Sequence, residues 1–240
     1  MANKNSETQN SKQIIEALAK ISEAVTSDKY LDDILKLIVT VTAEVMHSKI
    51  CSLMLLNDKK ELVVKATQSV SESYNKKSNI KLGIGIAGLV AKNGSPVTSD
   101  DVREDTQYIN REIAKGESLC SLLSVPLTVK GRVIGVLNSY TSKPHKFSSN
   151  EITILNSVAN QAAIVIENFR LVVETKVVKE ELESRKIIEK AKGVLMKRRQ
   201  LDEDMAYRLM RKYSMDNRKS IKEVANAIIL NDEMNDITKK

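Results

Sequence analysis

The sequence is poor in the residues that covalent cross-links, metal binding and catalysis most often use. Among its 240 residues are two cysteines, Cys51 and Cys120, and two histidines, His47 and His145. They are too few for a disulfide framework or a Cys/His zinc site, so we expect no metal and no cofactor. The sequence shows no constellation of nucleophile, acid and base, and we therefore expect a protein that is not an enzyme.

Long apolar runs are also absent. No stretch approaches the ~18 apolar residues that a membrane span needs, and the polar tail at residues 1–12 lacks the apolar core of a signal peptide. The sequence therefore predicts a cytoplasmic protein with no membrane partner. Apolar residues make up 42% and charged residues 29% of the chain, which is ordinary for a globular protein and argues against wholesale disorder.

Charge is distributed unevenly along the chain. Residues 1–184 carry 23 basic and 22 acidic side chains, whereas residues 185–240 carry 15 basic and 9 acidic ones. Within residues 185–222 the count is 13 against 5, a net +8 that exceeds the +7 of the whole chain. Such a segment favours a polyanionic partner, either a nucleic acid or an anionic membrane surface. A solvated basic face without a partner is the alternative.

Hydrophobic periodicity predicts the elements that precede the basic segment. Apolar residues at helical spacing predict amphipathic helices around residues 14–21 and 31–41. Alternating segments predict two β-hairpins, residues 50–56 with 61–67 and residues 121–129 with 132–140. The region between them, residues 69–116, holds most of the glycines and predicts loops and short helices.

A long helix is predicted after the second hairpin. Ser148 is its expected N-cap, and Glu151 stands three residues on, as a capping box requires. Apolar residues then alternate three and four apart, as in a coiled coil. The predicted dimer seam consists of Leu155, Val158, Ala162, Val165, Phe169 and Val172. We therefore expect a homodimer with a register shift near Lys176 and Lys179. For the first turns, packing of the helix on its own domain is the alternative.

Residues 83–88 spell G-x-G-x-x-G, the pattern of a dinucleotide-binding turn. The context argues against that fold, because no buried strand precedes the motif and the following helix ends before Gly94 and Pro96. A β-α-β crossover needs a dozen residues or more, so the segment is too short.

The same glycine-rich stretch resembles the central signature of GAF sensory domains. The motifs that carry the resemblance lie at residues 82–91, 94–97, 100–102, 123–127 and 133–138. They stand in the family's order between about Asp28 and Arg170. The resemblance implies an α+β fold, in which an antiparallel sheet has helices on one side and a pocket for a small-molecule ligand on the other. It also implies that the glycines serve tight turns and close backbone approach. The residues typical of cyclic-nucleotide binding are missing, and neither cysteine lies where bilins attach. A GAF enzyme of small-molecule redox chemistry is one alternative.

The basic segment predicts a bundle of three short helices. Asp202 is the expected N-cap of the second helix, and Ser220 with Glu223 forms the capping box of the third. The second helix has a predicted apolar stripe of Met205, Ala206, Leu209, Met210 and Tyr213. Gly193 lies in mid-helix, where glycine costs about 1 kcal/mol relative to alanine. We therefore expect another helix or an RNA backbone to approach it closely.

This bundle resembles the ANTAR domain of bacterial transcription antitermination regulators. The matching residues are Ala191 to Met196, Asp204 to Arg211, and Val224, Ala225 and Ile228. The resemblance implies dimeric modules that bind paired hairpins of nascent mRNA, prevent an overlapping terminator from forming, and so affect RNA polymerase indirectly. The alternative is a DNA-binding regulator whose last two helices act as a helix-turn-helix under GAF control.

RNA hairpin loops expose unstacked bases, which proteins bind with aromatic rings and guanidinium planes while lysines hold phosphates. The predicted RNA-binding residues are Arg185, Lys192, Gly193, Tyr207, Arg211, Lys212, Arg218 and Lys219. Lys192 is predicted to be exposed, and Tyr207 either stacks on a base or belongs to the core.

The predicted domains are a polar tail (1–12), a GAF domain (13–170), a coiled-coil linker helix (171–184) and an ANTAR domain (185–236).

Overall fold

The computed structural model describes residues 31–69, 71, 74 and 78–237, without the side chains of residues 236 and 237. The predicted helix around residues 14–21 and the polar tail therefore lie outside the described residues. The chain divides after Arg170 into two compact units, residues 1–170 and residues 171–240. None of the described helices is both long and apolar enough to cross a membrane.

The first unit is built around one antiparallel sheet. Its elements are α1 (Leu31–Met46), β1 (Ile50–Leu56), β2 (Glu61–Thr67), β3 (Ile80–Lys81), α2 (Gly85–Asn93), β4 (Val97–Ser99), α3 (Arg111–Gly116), β5 (Leu122–Val129), β6 (Arg132–Tyr140) and the start of α4 (Ser149–Arg199). The strand order is β3-β2-β1-β6-β5-β4. This arrangement confirms the predicted α+β fold and both predicted hairpins. In the β5–β6 turn, Lys130 and Gly131 both have positive φ, 49° and 77°, which matches the twist of the two strands.

One face of the sheet packs on α1 and on the first part of α4. Leu35 and Ile38 of α1 meet Leu53 and Leu137 of the two central strands, and none of these side chains is more than 1% exposed. The apolar residues of α4 complete this core. Burial of a leucine or isoleucine side chain contributes ~1.5–3 kcal/mol, so this layer is a main source of stability for the unit.

The packing of α4 corrects the predicted dimer seam. The seam residues inside the core are Leu155, Val158, Ala162 and Val165, which are only 0–4% exposed. Phe169 packs against the same core, and Val172 alone is well exposed, at 67%. A second copy cannot reach side chains that the sheet already covers. The three-and-four spacing of apolar residues does not identify a dimer seam, because any helix with one buried face shows it, whether a sheet or another helix covers that face.

The opposite face of the sheet carries α2, which begins within the glycine-rich stretch. A Cβ atom at Gly88 would lie 2.6 Å from the carbonyl oxygen of Lys81, so only glycine permits this close backbone approach. The strand before the motif has two residues, and α2 ends at Asn93. These dimensions agree with the prediction that the glycines serve packing and turns, not a dinucleotide.

The second unit is a three-helix bundle, as predicted. The end of α4 packs with α5 (Glu203–Asn217) and α6 (Ile221–Ile237). The buried core consists of Ala191, Leu195, Ala206, Met210, Val224 and Ala225. The predicted caps are also present. The Asp202 carboxylate accepts the Met205 N–H at 2.7 Å, and the Glu223 carboxylate accepts the Ser220 N–H at 2.7 Å.

Candidate functional sites

A small cavity lies on the face of the sheet that carries α2. Its volume is about 20 Å³, room for about one water molecule. Tyr74, Tyr108 and Tyr140 pack around it, and the rings of Tyr74 and Tyr108 each meet Tyr140 edge to face at a centroid distance of 6.3 Å. Burial raises the pKa of all three phenols, so their hydroxyls stay protonated at neutral pH.

A row of buried polar residues crosses the sheet beside the tyrosines. Asn138 of β6 is paired with Ser52 of β1 on one side and with Ser124 of β5 on the other. The Asn138 amide and the Tyr74 hydroxyl both donate to the Ser52 hydroxyl, at 3.3 Å and 3.0 Å. Within the described residues, the Asn138 carbonyl oxygen and the Ser124 hydroxyl have no partner. An unpaired buried polar group costs ~1–3 kcal/mol, so a hydrogen-bonding guest in the cavity would relieve this cost at Asn138, which lines the cavity, but not at Ser124, which does not.

The described side chains that line this cavity are uncharged. Among the residues that the structure describes, no Asp, Glu, Lys, Arg or His side chain lines it. Ser52, Asn138 and the tyrosine hydroxyls offer hydrogen bonds among apolar walls, but nothing there neutralises an ionic ligand. Burial of an ion without a partner is far more costly than burial of a hydrogen-bonded neutral group.

Neither cysteine belongs to a metal-binding cluster among the described residues. Both are buried, and burial raises the pKa of the Cys51 thiol to about 12, so Cys51 stays protonated and unreactive at neutral pH. Cys120 accepts a hydrogen bond from Arg103, which is ion-paired with Asp101. Among the described residues, no group of three or more His, Cys, Asp or Glu side chains could hold a metal ion. Neither cysteine therefore suggests a site.

The basic surface of the second unit is largely unneutralised. Of the 13 basic residues in 185–222, three form ion pairs: Lys190 with Glu233, Lys192 with two glutamates, and Arg198 with Asp232. The other ten, 13 minus 3, form no ion pair with the residues that the structure describes. Unpaired cations at this density create a field that attracts a polyanion.

Lys192 is not exposed, which corrects the prediction. It is 7% exposed, and its Nζ lies 2.9 Å from Glu189 Oε1 and 2.6 Å from Glu203 Oε1. Glu189 and then Glu203 raise the pKa of Lys192, so the amine stays charged. The contact links α4 to the first residue of α5. Only the fold of the bundle brings Glu203 to this place, so helical spacing in the sequence could not reveal it.

Gly193 is exposed and lies in open space. A Cβ atom there would have no neighbour within 4 Å. No helix of the described chain therefore accounts for this glycine, contrary to one of the two expectations from the sequence. The other expectation, an external partner, stays a prediction.

The remaining predicted residues fall on different surfaces. Arg185 and Tyr207 line one groove together with Lys222 and the carboxylates Glu180, Glu181 and Glu189. Lys219 lines a second groove, in which Arg199 and Tyr213 are its neighbours. Arg211, Lys212 and Arg218 are exposed on or just after α5 and line neither groove. The eight predicted residues therefore do not form one cluster.

The two exposed tyrosines show what the sequence pattern missed. Tyr207 is 41% exposed, so it is not a core residue. Tyr213, which the apolar stripe predicts to be buried, is 55% exposed. Of the stripe, only Ala206 and Met210 are buried in the core of the bundle, whereas Met205, Leu209 and Tyr213 are exposed. Tyr213 is left at the edge of a groove.

Comparison with known families decides what the two units are. The GAF domain profile matches residues 29–167, more than half of the chain, and the ANTAR domain profile matches residues 176–229. The chain belongs to the GAF family and carries an ANTAR domain after its GAF domain. GAF domains are a sensory family and ANTAR domains are RNA-binding modules of antitermination regulators, so the chain combines one domain of each kind.

Curated relatives match 62–64% of this chain and are much longer. The methyl sulfide methyltransferase-associated sensor of Methanosarcina acetivorans is 28% identical over 155 residues, 62% of this chain and 16% of that protein. The phosphoenolpyruvate-dependent phosphotransferase system protein of Escherichia coli is 23% identical over 155 residues, 64% of this chain and 21% of that protein. The chain therefore spans only a small part of the relatives that it matches.

Solved structures support the same fold. The GAF domain of a phosphoenolpyruvate-protein phosphotransferase from Coxiella burnetii is 26% identical, with a TM-score of 0.60 over 68% of this chain and 98% of that one. A free methionine-R-sulfoxide reductase from Neisseria meningitidis, solved with its substrate, is 23% identical, with a TM-score of 0.56 over 66% of this chain and 91% of that one. The second likeness shows the fold alone.

The Lys192–Glu203 contact generates a prediction about pH. Lys192 lowers the pKa of Glu203, so the stabilisation is present above the ordinary glutamate value of 4.5 and is lost as the pH falls through the lowered value. We expect Glu203→Gln to speed amide hydrogen exchange in α5 at neutral pH. The variant should also lose less protection than the unchanged chain on acidification from about pH 5 to about pH 3.

Asp204→Asn is the matched control, because it removes the same charge from the same helical turn but no described ion pair. Its hydrogen exchange in α5 should follow that of the unchanged chain. Equal effects of both variants would show that the field of the helix, not Lys192, makes Glu203 stabilising.

Proposed function

We propose that this protein binds hairpins in nascent mRNA through its ANTAR domain and so prevents transcription termination, under control of a signal at its GAF domain. The observation that carries the proposal is the set of ten basic residues in 185–222 that form no ion pair with any described residue. Phosphate neutralisation by such residues supplies most of the affinity of RNA-binding surfaces. A hairpin held by the protein would withhold its strand from an overlapping terminator.

The exposed face of α4 around Gly193 supports an approach by RNA. Lys186, Lys190, Gly193 and Lys197 are four, three and four residues apart and are all exposed, so they share one helical face. Lys190 is engaged by Glu233, whereas Lys186 and Lys197 form no described ion pair. Two cations flanking a residue without a side chain suit a phosphate backbone that lies close against the helix.

The proposal predicts a preference for hairpin RNA over duplex DNA of the same stem at matched salt. Affinity should fall with salt, with a log–log slope of about −0.7 for each single-strand phosphate neutralised. Fluorescence anisotropy with a pool of hairpins of one stem and randomised loops measures both quantities. A preference for duplex DNA would support the helix-turn-helix alternative, and a slope near zero would exclude a polyanion partner.

Gly193→Ala sharpens this test because it separates folding from binding. The added methyl group meets no atom of the chain, so the variant should be more stable by about 1 kcal/mol. It should nevertheless bind the hairpin more weakly, by about tenfold, because the RNA backbone would be pushed away. Gly116→Ala, a second glycine with open space around it, is the control and should keep full affinity.

We further propose that the homodimer forms through the part of α4 that lies in the second unit. Leu171, Val178 and Leu182 are 45–63% exposed, and their spacing of seven and four residues places them on one face. Burial of these side chains against a second copy would pair two ANTAR domains. Paired domains can hold two hairpins at a high effective concentration.

Val178→Asp should dissociate the dimer, since it places a charge in an apolar contact. Val177→Asp is the control, because it introduces the same charge at an adjacent exposed valine on another face of α4. Sedimentation velocity at tens of micromolar should report a dimer for the unchanged chain and for Val177→Asp, and a monomer for Val178→Asp. A monomeric unchanged chain would overturn the proposal.

We propose that the GAF domain takes a small, uncharged ligand that carries a hydrogen-bond donor. The unpaired Asn138 carbonyl oxygen and the uncharged lining of the cavity support this class of ligand. Because the described cavity has room for about one water, the tyrosines around it must move to admit a larger molecule. Such movement would give the ligand a difference in affinity between two states of the domain, which any signal requires.

Thermal-shift measurements on the full chain test the ligand class, using uncharged and charged metabolites of matched size. We expect shifts from uncharged compounds only, of roughly 5–10 °C at a hundredfold excess over Kd. Asn138→Ala should abolish the shift. Ser124→Ala, which removes the neighbouring unpaired hydroxyl outside the cavity lining, should retain it. A shift produced by a charged compound alone would contradict the proposal.

A further inference from the structure

A groove crosses the ANTAR bundle between the end of α4, α5 and α6. Its volume is about 350 Å³, within the ~300–1,000 Å³ typical of ligand sites. We call it the Tyr213 groove, and six of its lining residues matter here: Leu195, Arg199, Leu209, Tyr213, Lys219 and Val224. Of the residues predicted to bind RNA, only Lys219 lines it.

The groove has an apolar floor and an aromatic wall. Leu195 and Val224 in the floor are 9% and 5% exposed, whereas Leu209 and Tyr213 in the wall are 38% and 55% exposed. No hydrogen bond to the Tyr213 hydroxyl is described, so only packing on the groove wall orients the ring. An exposed ring face above an apolar floor is a surface on which a planar group can stack.

The rim of the groove carries cations without an ion pair. Arg199 is the last residue of α4 and Lys219 lies between α5 and α6; neither forms an ion pair with any described residue. The acidic residue in the lining, Glu223, is occupied as a helix cap, because its carboxylate accepts the N–H and the hydroxyl of Ser220 at 2.7 Å and 2.8 Å. Arg199 and Lys219 thus flank the aromatic wall, and Lys219 also helps the Ser220 hydrogen bonds to lower the pKa of the Glu223 carboxyl.

We propose that the Tyr213 groove binds an unstacked base of the RNA loop, with the base stacked on Tyr213 and the adjoining phosphates held by Arg199 and Lys219. This inference rests on the proposed RNA binding. Charge complementarity favours RNA over an apolar peptide, since a peptide helix would leave both cations unmatched. The volume also suits one or two nucleotides better than a helix ~10–12 Å across.

The groove at Tyr207 is less suited to the same ligand. It has two cations, Arg185 and Lys222, but three carboxylates also line it, and only Glu189 among them is ion-paired, to Lys192. Glu180 and Glu181 would repel a phosphate that approached the ring of Tyr207. We therefore assign the stacking role to Tyr213 and not to Tyr207, the ring that the sequence favours.

Three variants of the full chain test the assignment against a hairpin RNA with a fluorescent adenine analogue in its loop. Stacking on an aromatic ring changes the emission of the analogue, and anisotropy gives the affinity. Tyr213→Phe keeps the ring and should bind like the unchanged chain. Tyr213→Leu keeps an apolar wall without a ring and should bind about 5- to 100-fold more weakly, with the emission change lost. Tyr207→Leu should bind normally.

The rim is tested by the salt dependence. Arg199→Gln should make the log–log salt slope shallower by about 0.7, whatever the loop sequence. Hydrogen exchange of the variants, compared with that of the unchanged chain, verifies that the bundle is intact.

The outcomes distinguish a failure of the proposed RNA binding from a failure of the groove assignment. If the unchanged chain binds no hairpin at low salt, the proposed function fails and the groove assignment fails with it. If the unchanged chain binds but Tyr213→Leu has equal affinity and an equal emission change, RNA binding stands and the groove assignment is wrong. If Tyr207→Leu is the variant that loses the emission change, the base lies in the other groove.

Discussion

The apolar side of α4 is the constraint on which the rest of the structure depends. Near its start, Leu155 and Ala162 are fully buried against the sheet of the GAF domain, and near its end Ala191 is fully buried in the ANTAR bundle. A helix can bury only the side that its neighbours cover. The stretch between these two cores, which includes Leu171 and Val178, therefore keeps its apolar side chains exposed.

Within the ANTAR bundle, Lys192 acts as a positioning residue. Its amine is shared by Glu189 on α4 and Glu203 on α5, so an RNA phosphate would have to displace a carboxylate to reach it. The ion pair with Glu203 connects the two helices that carry Gly193 and Tyr213. A cation can thus hold the helices of a surface together, and in the proposed function its neighbours without a described ion pair contact the phosphates.

In the GAF domain, the side chains that line the cavity beside the sheet determine its chemistry. Three tyrosines take up the space beside the sheet, and the polar row across β1, β6 and β5 leaves one amide oxygen and one hydroxyl without a described partner. Since burial keeps the phenols neutral, the described lining of the cavity offers shape and hydrogen bonds and no charge. This chemistry differs from that of the ANTAR surface, where exposed charge dominates.

Local patterns in the sequence determined the elements and their families. Alternation predicted both hairpins, and Asp202, Ser148 and Ser220 predicted helix starts, because strand periodicity and helix caps depend on residues close together in the chain. Charge counts located the basic unit because the net charge of a segment depends only on its own residues and not on which other segments pack against it.

Tertiary structure alone decided which surfaces remain available. Helical spacing gave no means to distinguish Leu155, covered by the sheet, from Val178, which is exposed, because both fit the same three-and-four pattern. It likewise predicted an exposed Lys192 and a buried Tyr213, and the structure reverses both. Burial and ion pairing depend on what distant segments bring: Glu203 returns to cover Lys192, whereas nothing described covers the ring of Tyr213.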